Sequence, residues 1–254
     1  MTYIFVHLMG GLGNQLFQYA AGFLQRKITN GRLLFTPAKH KNKHDVTDYR
    51  TVFGLEKYDT ELPVHRIDLY QEDGFAIWDP EDYRYPVVLL YGYFQNYSVL
   101  KPILPEFKET VLEKLKSQRE ISLHKYTIPP SSGFLHVRRG DYIAIGNWDT
   151  IGINYYKKAV AQLPNIKNWF IFSDDIEWVK TQEFFQNMEP IYIEETDPLM
   201  SLALMSEIHD GAIIANSTFS WWGAYLGGSD SVIYPKVWFD KSTPDLFPEK
   251  WIGI

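Results

Sequence analysis

This chain of 254 residues contains no cysteine, so it has neither a disulfide framework nor a thiolate metal site. No stretch approaches about 18 uninterrupted apolar residues, so no transmembrane helix is expected. Residues 1–7 lack the basic segment and long apolar run of a secretory signal peptide. Positive charge does not predominate either, because acidic residues outnumber basic residues and the net charge is −6. This balance argues against a general nucleic-acid-binding protein, and any anionic ligand must be held by a local basic site.

The residues that are present are typical of a globular protein, with 45% apolar and 22% charged residues. Aromatic residues are frequent at 16%, including 8 Trp and 17 Tyr. Most of these rings are expected in the core. Aromatic rings also stack against the apolar C–H faces of sugars, so the composition is compatible with a carbohydrate ligand.

Strands and helices alternate along the chain, which predicts an α/β fold with parallel sheets. A strand at 3–8, a glycine-rich turn and a helix at 15–28 form the first unit. A proline-containing break at 128–133 interrupts regular structure. It divides the chain into a predicted N-terminal domain, 1–127, and a predicted C-terminal domain, 128–254.

The segment His136-Val137-Arg138-Arg139-Gly140-Asp141 places two guanidinium groups at the end of a predicted buried strand. An unpaired buried charge is costly, and the arginine fork matches the oxygens of phosphate. One interpretation is a diphosphate clamp, and the alternative is an internal ion pair with Asp141. The segment alone leaves both interpretations open. Because successive side chains of a strand point to opposite faces, Arg139 is the better partner for Asp141 if Arg138 binds phosphate.

Polar clusters also follow two other predicted strands, at Ser173–Asp175 and at Asn216–Ser220. Ligands of parallel sheets lie at the carboxyl ends of the strands. The three clusters therefore predict one rim of a single binding site in the second half of the chain.

The Asn216–Ser220 cluster contains three hydroxyl residues just before a helix predicted from about residue 221. Hydroxyl groups and unpaired backbone N–H groups at a helix start favour an anion, and the helix dipole adds to this. The cluster thus indicates phosphate binding, and ordinary N-capping by Ser217, Thr218 or Ser220 is the alternative.

The acidic pair Asp174-Asp175 has three interpretations: Mg²⁺ ligands, acceptors for a nucleoside, or an N-cap of the following helix. Nucleoside contact is favoured, because an arginine that neutralises a diphosphate reduces the need for a metal. The seven histidines show no metal-binding pattern, and His40 and His44 lie in a lysine-rich loop. The turn Gly10–Asn14 is an incomplete dinucleotide fingerprint, so it predicts either a close backbone approach to a ligand or a tight turn.

Several motifs resemble, in order, those of the α-1,2-fucosyltransferases of glycosyltransferase family eleven. The resemblance runs from about residue 3 to residue 239. The motifs are Gly10-Gly11-Leu12-Gly13-Asn14-Gln15-Leu16-Phe17-Gln18-Tyr19-Ala20, Gly92-Tyr93-Phe94-Gln95, His136-Val137-Arg138-Arg139-Gly140-Asp141-Tyr142, Phe172-Ser173-Asp174-Asp175 and Asn216-Ser217-Thr218-Phe219-Ser220-Trp221-Trp222-Gly223-Ala224.

This resemblance implies the GT-B arrangement, in which two Rossmann-like domains with parallel sheets face each other. It implies GDP-fucose as the donor, bound mainly by the C-terminal domain, and transfer of fucose to the 2-hydroxyl of a terminal β-galactoside with inversion. No cofactor and no metal are implied. A role in surface glycan or O-antigen synthesis is expected, in the cytoplasm, with peripheral association at the inner membrane through the basic loop at 39–50 left open.

The resemblance also implies roles for individual residues. Arg138 is expected to bind the β-phosphate and to act in catalysis, with Asp141 as the candidate general base. The donor-binding residues implied are His136, Arg138, Asp174, Asp175, Asn216, Ser217, Thr218, Phe219 and Ser220. The acceptor side is implied for Gly11, Gly13 and Asn14.

The chain departs from the family pattern at Ser201, where the family has an acid at the start of a helix. Asp197 lies nearby but is offset. The alternatives to α-1,2 transfer are a fucosyltransferase of α-1,6 or protein O-linked type, and a non-catalytic carbohydrate-binding protein. A non-catalytic carbohydrate-binding protein has no use for a diphosphate clamp, so GDP binding separates it from the enzymes.

Overall fold

The computed structural model describes residues 2–37, 47–59, 68–71, 86–139, 151–229, 231–238 and 245–254. The chain forms two compact units, Met1–Lys114 and Leu115–Ile254. Each unit contains one sheet, and every strand pair recorded in both sheets is parallel. The predicted α/β class with parallel sheets is therefore confirmed.

The first unit has a four-stranded sheet in the order β2-β1-β4-β3. Its strands are β1 (Tyr3–His7), β2 (Arg32–Thr36), β3 (Asp68–Gln71) and β4 (Val87–Tyr91). Its helices are α1 (Leu12–Thr29), α2 (Tyr97–Leu100) and α3 (Leu104–Lys114).

Helix α1 packs closely on the sheet of the first unit. A Cβ atom at Gly22 would lie 2.6 Å from a Val6 methyl group and 2.8 Å from a Leu33 methyl group, so a larger residue would force these side chains to shift. The helix ends at Asn30, whose left-handed backbone (φ 52°) suits a C-cap. The carboxyl end of β1 and the start of α1 are thereby held at one edge of the sheet.

The second unit has a six-stranded sheet in the order β10-β9-β8-β5-β6-β7. Its strands are β5 (Ser132–Val137), β6 (Asn168–Ser173), β7 (Ile191–Ile193), β8 (Gly211–Ile213), β9 (Val232–Tyr234) and β10 (Ile252–Gly253). Its helices are α4 (Lys116–Lys125), α5 (Ile153–Ala161), α6 (Ile176–Thr181), α7 (Glu183–Gln186), α8 (Pro198–Met205) and α9 (Thr218–Gly227). Within the described ranges, no helix combines the length and the apolarity needed to cross a membrane.

The two units divide between Lys114 and Leu115, whereas the sequence placed the domain boundary between residues 127 and 128. The charged stretch from 105 to 123 falls within two helices, α3 and α4, and α4 packs against α8 of the second unit. Salt bridges from α4 strengthen this contact, because Arg119 pairs with Glu207 and Lys125 pairs with Glu195. The proline break at 128–133 marks a turn inside the second unit.

Candidate functional site

The three polar clusters of the second half follow neighbouring strands at one edge of the sheet. Strand β5 pairs with β6 on one side and with β8 on the other, all in parallel. The register aligns Val137 with Ser173, so Arg138 and Arg139 emerge beside the acidic pair. The cluster from Asn216 follows β8 on the opposite flank. The fold thus brings the clusters to a common edge, as the sequence predicted.

The arginine pair and the acidic pair form one network. Arg138 Nη1 lies 2.9 Å from Asp174 Oδ2, and the backbone N–H of Arg139 donates to Asp174 Oδ1 at 2.8 Å. Asp174 therefore joins the ends of β5 and β6 with both carboxylate oxygens. The predicted contact of Asp174 with guanosine stays a prediction, and such a ligand would compete with these bonds.

Arg139 is held by two partners on its own unit. Its Nε donates to Asp175 Oδ2 at 3.2 Å, and its guanidinium carbon lies 3.5 Å from the centre of the Trp178 ring. Asp175 in turn accepts from the backbone N–H of Trp178, so it is the N-cap of α6. Asp141, the partner predicted for Arg139, lies outside the described residues. Among the described residues, Asp175 pairs with Arg139, because the β5–β6 register brings it within reach. The pairing of Arg139 with Asp141 stays a prediction.

Arg138 is the more accessible member of the pair. Its side chain is 31% exposed, compared with 19% for Arg139. Its planar fork carries five N–H donors, which suits a diphosphate oxygen pair. The two arginines thus differ in their contacts: Arg139 is held by Asp175 and Trp178, and Arg138 is paired with Asp174 and is more exposed. Phosphate binding by Arg138 stays a prediction.

His136 is a buried, neutral side chain, with only 4% of its surface exposed. Burial, and secondarily the charge of Arg138, lowers its pKa to about 3. Among the described residues, its Nδ1 atom has no hydrogen-bond partner. The centre of the His136 ring lies 5.8 Å from the centre of the Phe219 ring, so His136, which belongs to the first cluster, also contacts the third cluster. The contact of His136 with guanosine stays a prediction, and only the small exposed part of the side chain is available for it.

The third cluster belongs to the start of α9, which begins at Thr218 rather than at about residue 221. Ser217 is the N-cap residue, and its side chain makes no capping hydrogen bond. The Ser220 hydroxyl is buried and donates to Ser217 O at 3.2 Å, so its proton points into the helix. The Ser220 hydroxyl is thus used within the helix, and the backbone N–H groups of the first turn are the better anion ligands.

In the described part of the chain, no group of three or more His, Cys, Asp or Glu side chains could hold a metal ion. Asp197, the acid near the family's expected position, caps α8 by accepting from the backbone N–H of Leu199 at 2.9 Å. Ser201 is buried within that helix.

The glycine turn of the first unit lies at the carboxyl end of β1. Gly10 has φ +71°, and a Cβ atom there would lie 2.4 Å from Asn14 Nδ2, so this position requires glycine. Gly11 precedes α1 with open space around its Cβ position, and Gly13 is buried in the first turn of α1. The sequence predicted either a close ligand approach or a tight turn at Gly10–Asn14, and the structure shows a turn in which Gly10 lies against the Asn14 amide. The acceptor-side assignment of Gly11, Gly13 and Asn14 stays a prediction.

Two buried glutamines received no predicted role from the sequence: Gln18 on α1 and Gln95 in the segment after β4. Gln18 Oε1 accepts from Met9 N at 2.9 Å, and Gln18 Nε2 donates to Gly92 O at 3.1 Å. Gln95 Nε2 donates to Asn14 Oδ1 at 3.2 Å. A buried polar group left without a partner costs about 1–3 kcal/mol, so these bonds fix the local geometry.

The segment after β4 is strained. Phe94, which is buried, has φ +52°, a region that residues other than glycine rarely adopt. Such strain costs about 1–3 kcal/mol and is concentrated at functional sites. Tyr93, just before it, is 39% exposed. This segment is a second polar and aromatic feature, at the carboxyl edge of the first sheet.

Comparisons with known proteins cover the whole chain. The sequence model of glycosyl transferase family 11 matches residues 2–254. The chain is 29% identical to an alpha-1,2-colitosyltransferase of Escherichia coli, over 100% of the chain and 99% of that protein. It is 28% identical to the O-antigen biosynthesis glycosyltransferase WbnK of Escherichia coli, over 97% and 99%. It is 23% identical to galactoside alpha-(1,2)-fucosyltransferase 1 of Homo sapiens, over 98% and 74%.

Solved structures share the fold at low sequence identity. POFUT1 in complex with GDP-fucose superposes with a TM-score of 0.54 at 13% identity, over 92% of this chain and 98% of that chain. NodZ α-1,6-fucosyltransferase soaked with GDP-fucose gives a TM-score of 0.54 at 10% identity, over 96% and 99%. These likenesses confirm the GT-B fold class, with two Rossmann-like units that contain parallel sheets.

Proposed function

Because the chain belongs to glycosyl transferase family 11, we propose that it transfers L-fucose from GDP-fucose to the 2-hydroxyl of a terminal β-galactoside, with inversion. The observation that carries this proposal is the edge of the second sheet, where Arg138 and the start of α9 follow the neighbouring strands β5 and β8. The names of relatives specify an α-1,2 linkage, which supports α-1,2 transfer by this chain. The likeness to WbnK supports a role in O-antigen or surface glycan synthesis.

The donor diphosphate is proposed to bind between the Arg138 fork and the N-terminus of α9. In the reaction the bond between the fucose anomeric carbon and the β-phosphate oxygen breaks, and the electron pair leaves with GDP. Negative charge grows on the β-phosphate as that bond breaks. Donors fixed around that oxygen stabilise the transition state more than the ground state.

Asp174 is proposed to hold Arg138 in position before the donor binds. Its Oδ2 is paired with the guanidinium, and its Oδ1 accepts from the Arg139 backbone, so it fixes both the side chain and its strand end. A positioned arginine reorganises less as charge develops, which is the source of its catalytic effect. His136, Asp175, Asn216, Ser217, Thr218, Phe219 and Ser220 are proposed to complete the donor site.

On the acceptor side, the 2-hydroxyl oxygen of galactose forms the new bond to the anomeric carbon and loses its proton. We propose Asp141 as the general base and Gly11, Gly13 and Asn14 as part of the acceptor side. Asp141 lies outside the described residues, so its role rests on the motif alone. A pH–rate profile for Asp141→Asn that matched the parent profile would remove it from this role.

No metal is required in this proposal, because a guanidinium and a helix N-terminus answer the charge of the leaving diphosphate. We expect excess EDTA to leave the transfer rate unchanged. Loss of transfer with EDTA and its recovery with Mg²⁺ would contradict the metal-independent mechanism. The proposed donor and acceptor would be unaffected.

A second candidate donor is GDP-colitose. The full-length likeness to an alpha-1,2-colitosyltransferase favours it, since colitose differs from L-fucose only by the missing 3-hydroxyl. This alternative changes the donor sugar and keeps the α-1,2 linkage and the diphosphate site.

Transfer to defined acceptors tests the proposal. The protein is incubated with lactose, lacto-N-biose or N-acetyllactosamine and with GDP-fucose or GDP-colitose, and NMR identifies the linkage of the product. We expect fucose on the galactose 2-hydroxyl. Faster transfer from GDP-colitose would identify the second donor, and an α-1,6 or protein-linked product would contradict the proposed acceptor. GDP binding without transfer to any acceptor would contradict the α-1,2 proposal.

A further inference from the structure

We infer that residues Gly92–Gln95 form the subsite for the acceptor galactose, and that its apolar face stacks on the ring of Tyr93. This inference rests on the proposed function and assigns a site to a motif that the donor chemistry does not use. The segment begins directly after β4, whose last residue, Tyr91, is in register with His7 at the end of β1. It therefore lies at the carboxyl edge of the first sheet, where ligands of parallel sheets bind.

The segment is tied to α1 at both ends. At one end, Gly92 O accepts from Gln18 Nε2 at 3.1 Å, and Gln18 is fully buried. At the other end, Gln95 Nε2 donates to Asn14 Oδ1 at 3.2 Å. Tyr93 and Phe94 lie between these two attachments, so the position of Tyr93 is set by the helix and the sheet together.

The strain of the segment serves to expose one ring and bury the other. Phe94 adopts φ +52° and is buried, while Tyr93 is 39% exposed. An aromatic ring that is fixed in place and open on one side loses little freedom when it binds a flat apolar surface. Backbone strain of this kind is typical of binding sites.

The chemistry of the neighbourhood fits a neutral sugar better than a nucleotide. None of the residues 8–20 and 87–100 is charged, so the two segments offer no cation for a phosphate. They offer amides, which both donate to and accept from hydroxyl groups. Among the described residues, Gln95 Oε1 is buried without a hydrogen-bond partner, which is unusual in a folded protein. The face of a β-galactopyranose that carries the C3, C4 and C5 hydrogens is the matching apolar surface for Tyr93.

The test compares Tyr93→Ala with Tyr3→Ala, a matched control. Tyr3 is similarly exposed, at 37%, but it lies at the start of β1, on the opposite edge of the same sheet. In transfer assays, Tyr93→Ala is expected to raise the acceptor KM by about tenfold or more and to leave the donor KM unchanged. Tyr93→Trp, which keeps an aromatic face, should remain within about threefold of the parent acceptor KM. Tyr3→Ala should behave like the parent.

A binding measurement separates this inference from the proposed function. Saturation-transfer NMR of methyl β-D-galactopyranoside, with GDP present, should show contact for the parent and Tyr3→Ala and none for Tyr93→Ala. This result without any fucose transfer would support the subsite and contradict the proposed reaction. Transfer with an acceptor KM unaffected by Tyr93→Ala would overturn the subsite and leave the reaction standing. The absence of galactoside binding by the parent protein would also overturn the subsite.

Discussion

Arg138 and Arg139 are adjacent and chemically identical, but their surroundings differ. Arg139 is stacked on Trp178 and bonded to Asp175, while Arg138 is paired with Asp174 and is more exposed. The sequence predicted that the two side chains would separate, because strand residues alternate between faces. It named Asp141, which lies outside the described residues, as the partner of Arg139, and it did not predict the contacts with Asp174 and Asp175. Those contacts depend on the β5–β6 register, and 35 residues separate Arg139 from Asp174.

Arg138→Lys is expected to lower kcat/KM for the donor by about 10²–10³, because lysine keeps the charge but loses the planar fork. Arg119→Lys is the matched control, since Arg119 lies on α4 and pairs with Glu207. Steady-state kinetics with GDP-fucose measures both variants. Near-parent turnover by Arg138→Lys would remove this residue from the phosphate site.

His136 should make stability depend on pH. Its folded-state pKa of about 3 lies below the ordinary value of 6.5, so between these values the unfolded chain binds more protons than the folded chain. The contribution is present above pH 6.5 and is lost as the pH falls through this window. The free energy of unfolding then changes by at most about 1.4 kcal/mol per pH unit.

Urea unfolding at about pH 7 and about pH 5 checks this, and the parent should lose about 1–2 kcal/mol more than His136→Met between them. His124→Met is the control, because His124 is exposed on α4. If His136→Met lost as much stability as the parent on acidification, neutral burial of this ring would be contradicted.

At the scale of secondary-structure elements, strong apolar patterns were predicted closely. Strand β1 lies at Tyr3–His7, where the sequence predicted a strand at 3–8, and β5 is the buried strand predicted before Arg138. The start of α9 was placed late, because Thr218 and Ser220 favour caps on their own but are helical here. Strand β3 was missed, since its sequence, Asp68-Leu69-Tyr70-Gln71, has little apolar character and its pairing with β4 is not local.

Gln18 lies on α1 and bonds to the segments that follow β1 and β4, so its replacement should destabilise the fold. Gln18→Leu removes the partners of Met9 N–H and Gly92 C=O. We expect the free energy of unfolding to fall by about 1–3 kcal/mol. Gln162→Leu makes the same change at an exposed position and should stay within about 0.5 kcal/mol of the parent. Denaturant unfolding of both variants is the measurement, and equal effects would contradict a linking role for Gln18.

At the scale of the whole molecule, the sequence predicted two α/β units but not their division. Proline and glycine mark a break in regular structure, and they do not report which unit a preceding helix packs on. Helix α4 ends before the break and packs on α8, so it belongs to the second unit. The packing on α8 and the ion pairs of Arg119 and Lys125 are tertiary contacts, which the sequence pattern does not show.

Truncated chains test the division. Residues 115–254 should unfold cooperatively, whereas residues 128–254 lack α4 and expose the face of α8 that it covers. We expect the shorter chain to melt at least about 5 °C lower, because it loses buried apolar surface and two ion pairs. Thermal unfolding followed by circular dichroism measures the two melting temperatures. Equal values would support a domain boundary at residue 128.

The central claim is that the second unit binds the diphosphate of a GDP-sugar through Arg138 and the start of α9. Calorimetric titration of GDP into the full chain tests it most directly. The account predicts one GDP bound per chain, with affinity reduced at least about tenfold in Arg138→Ala and unchanged in Arg119→Ala. An absence of GDP binding, or equal binding by the parent and Arg138→Ala, would contradict it.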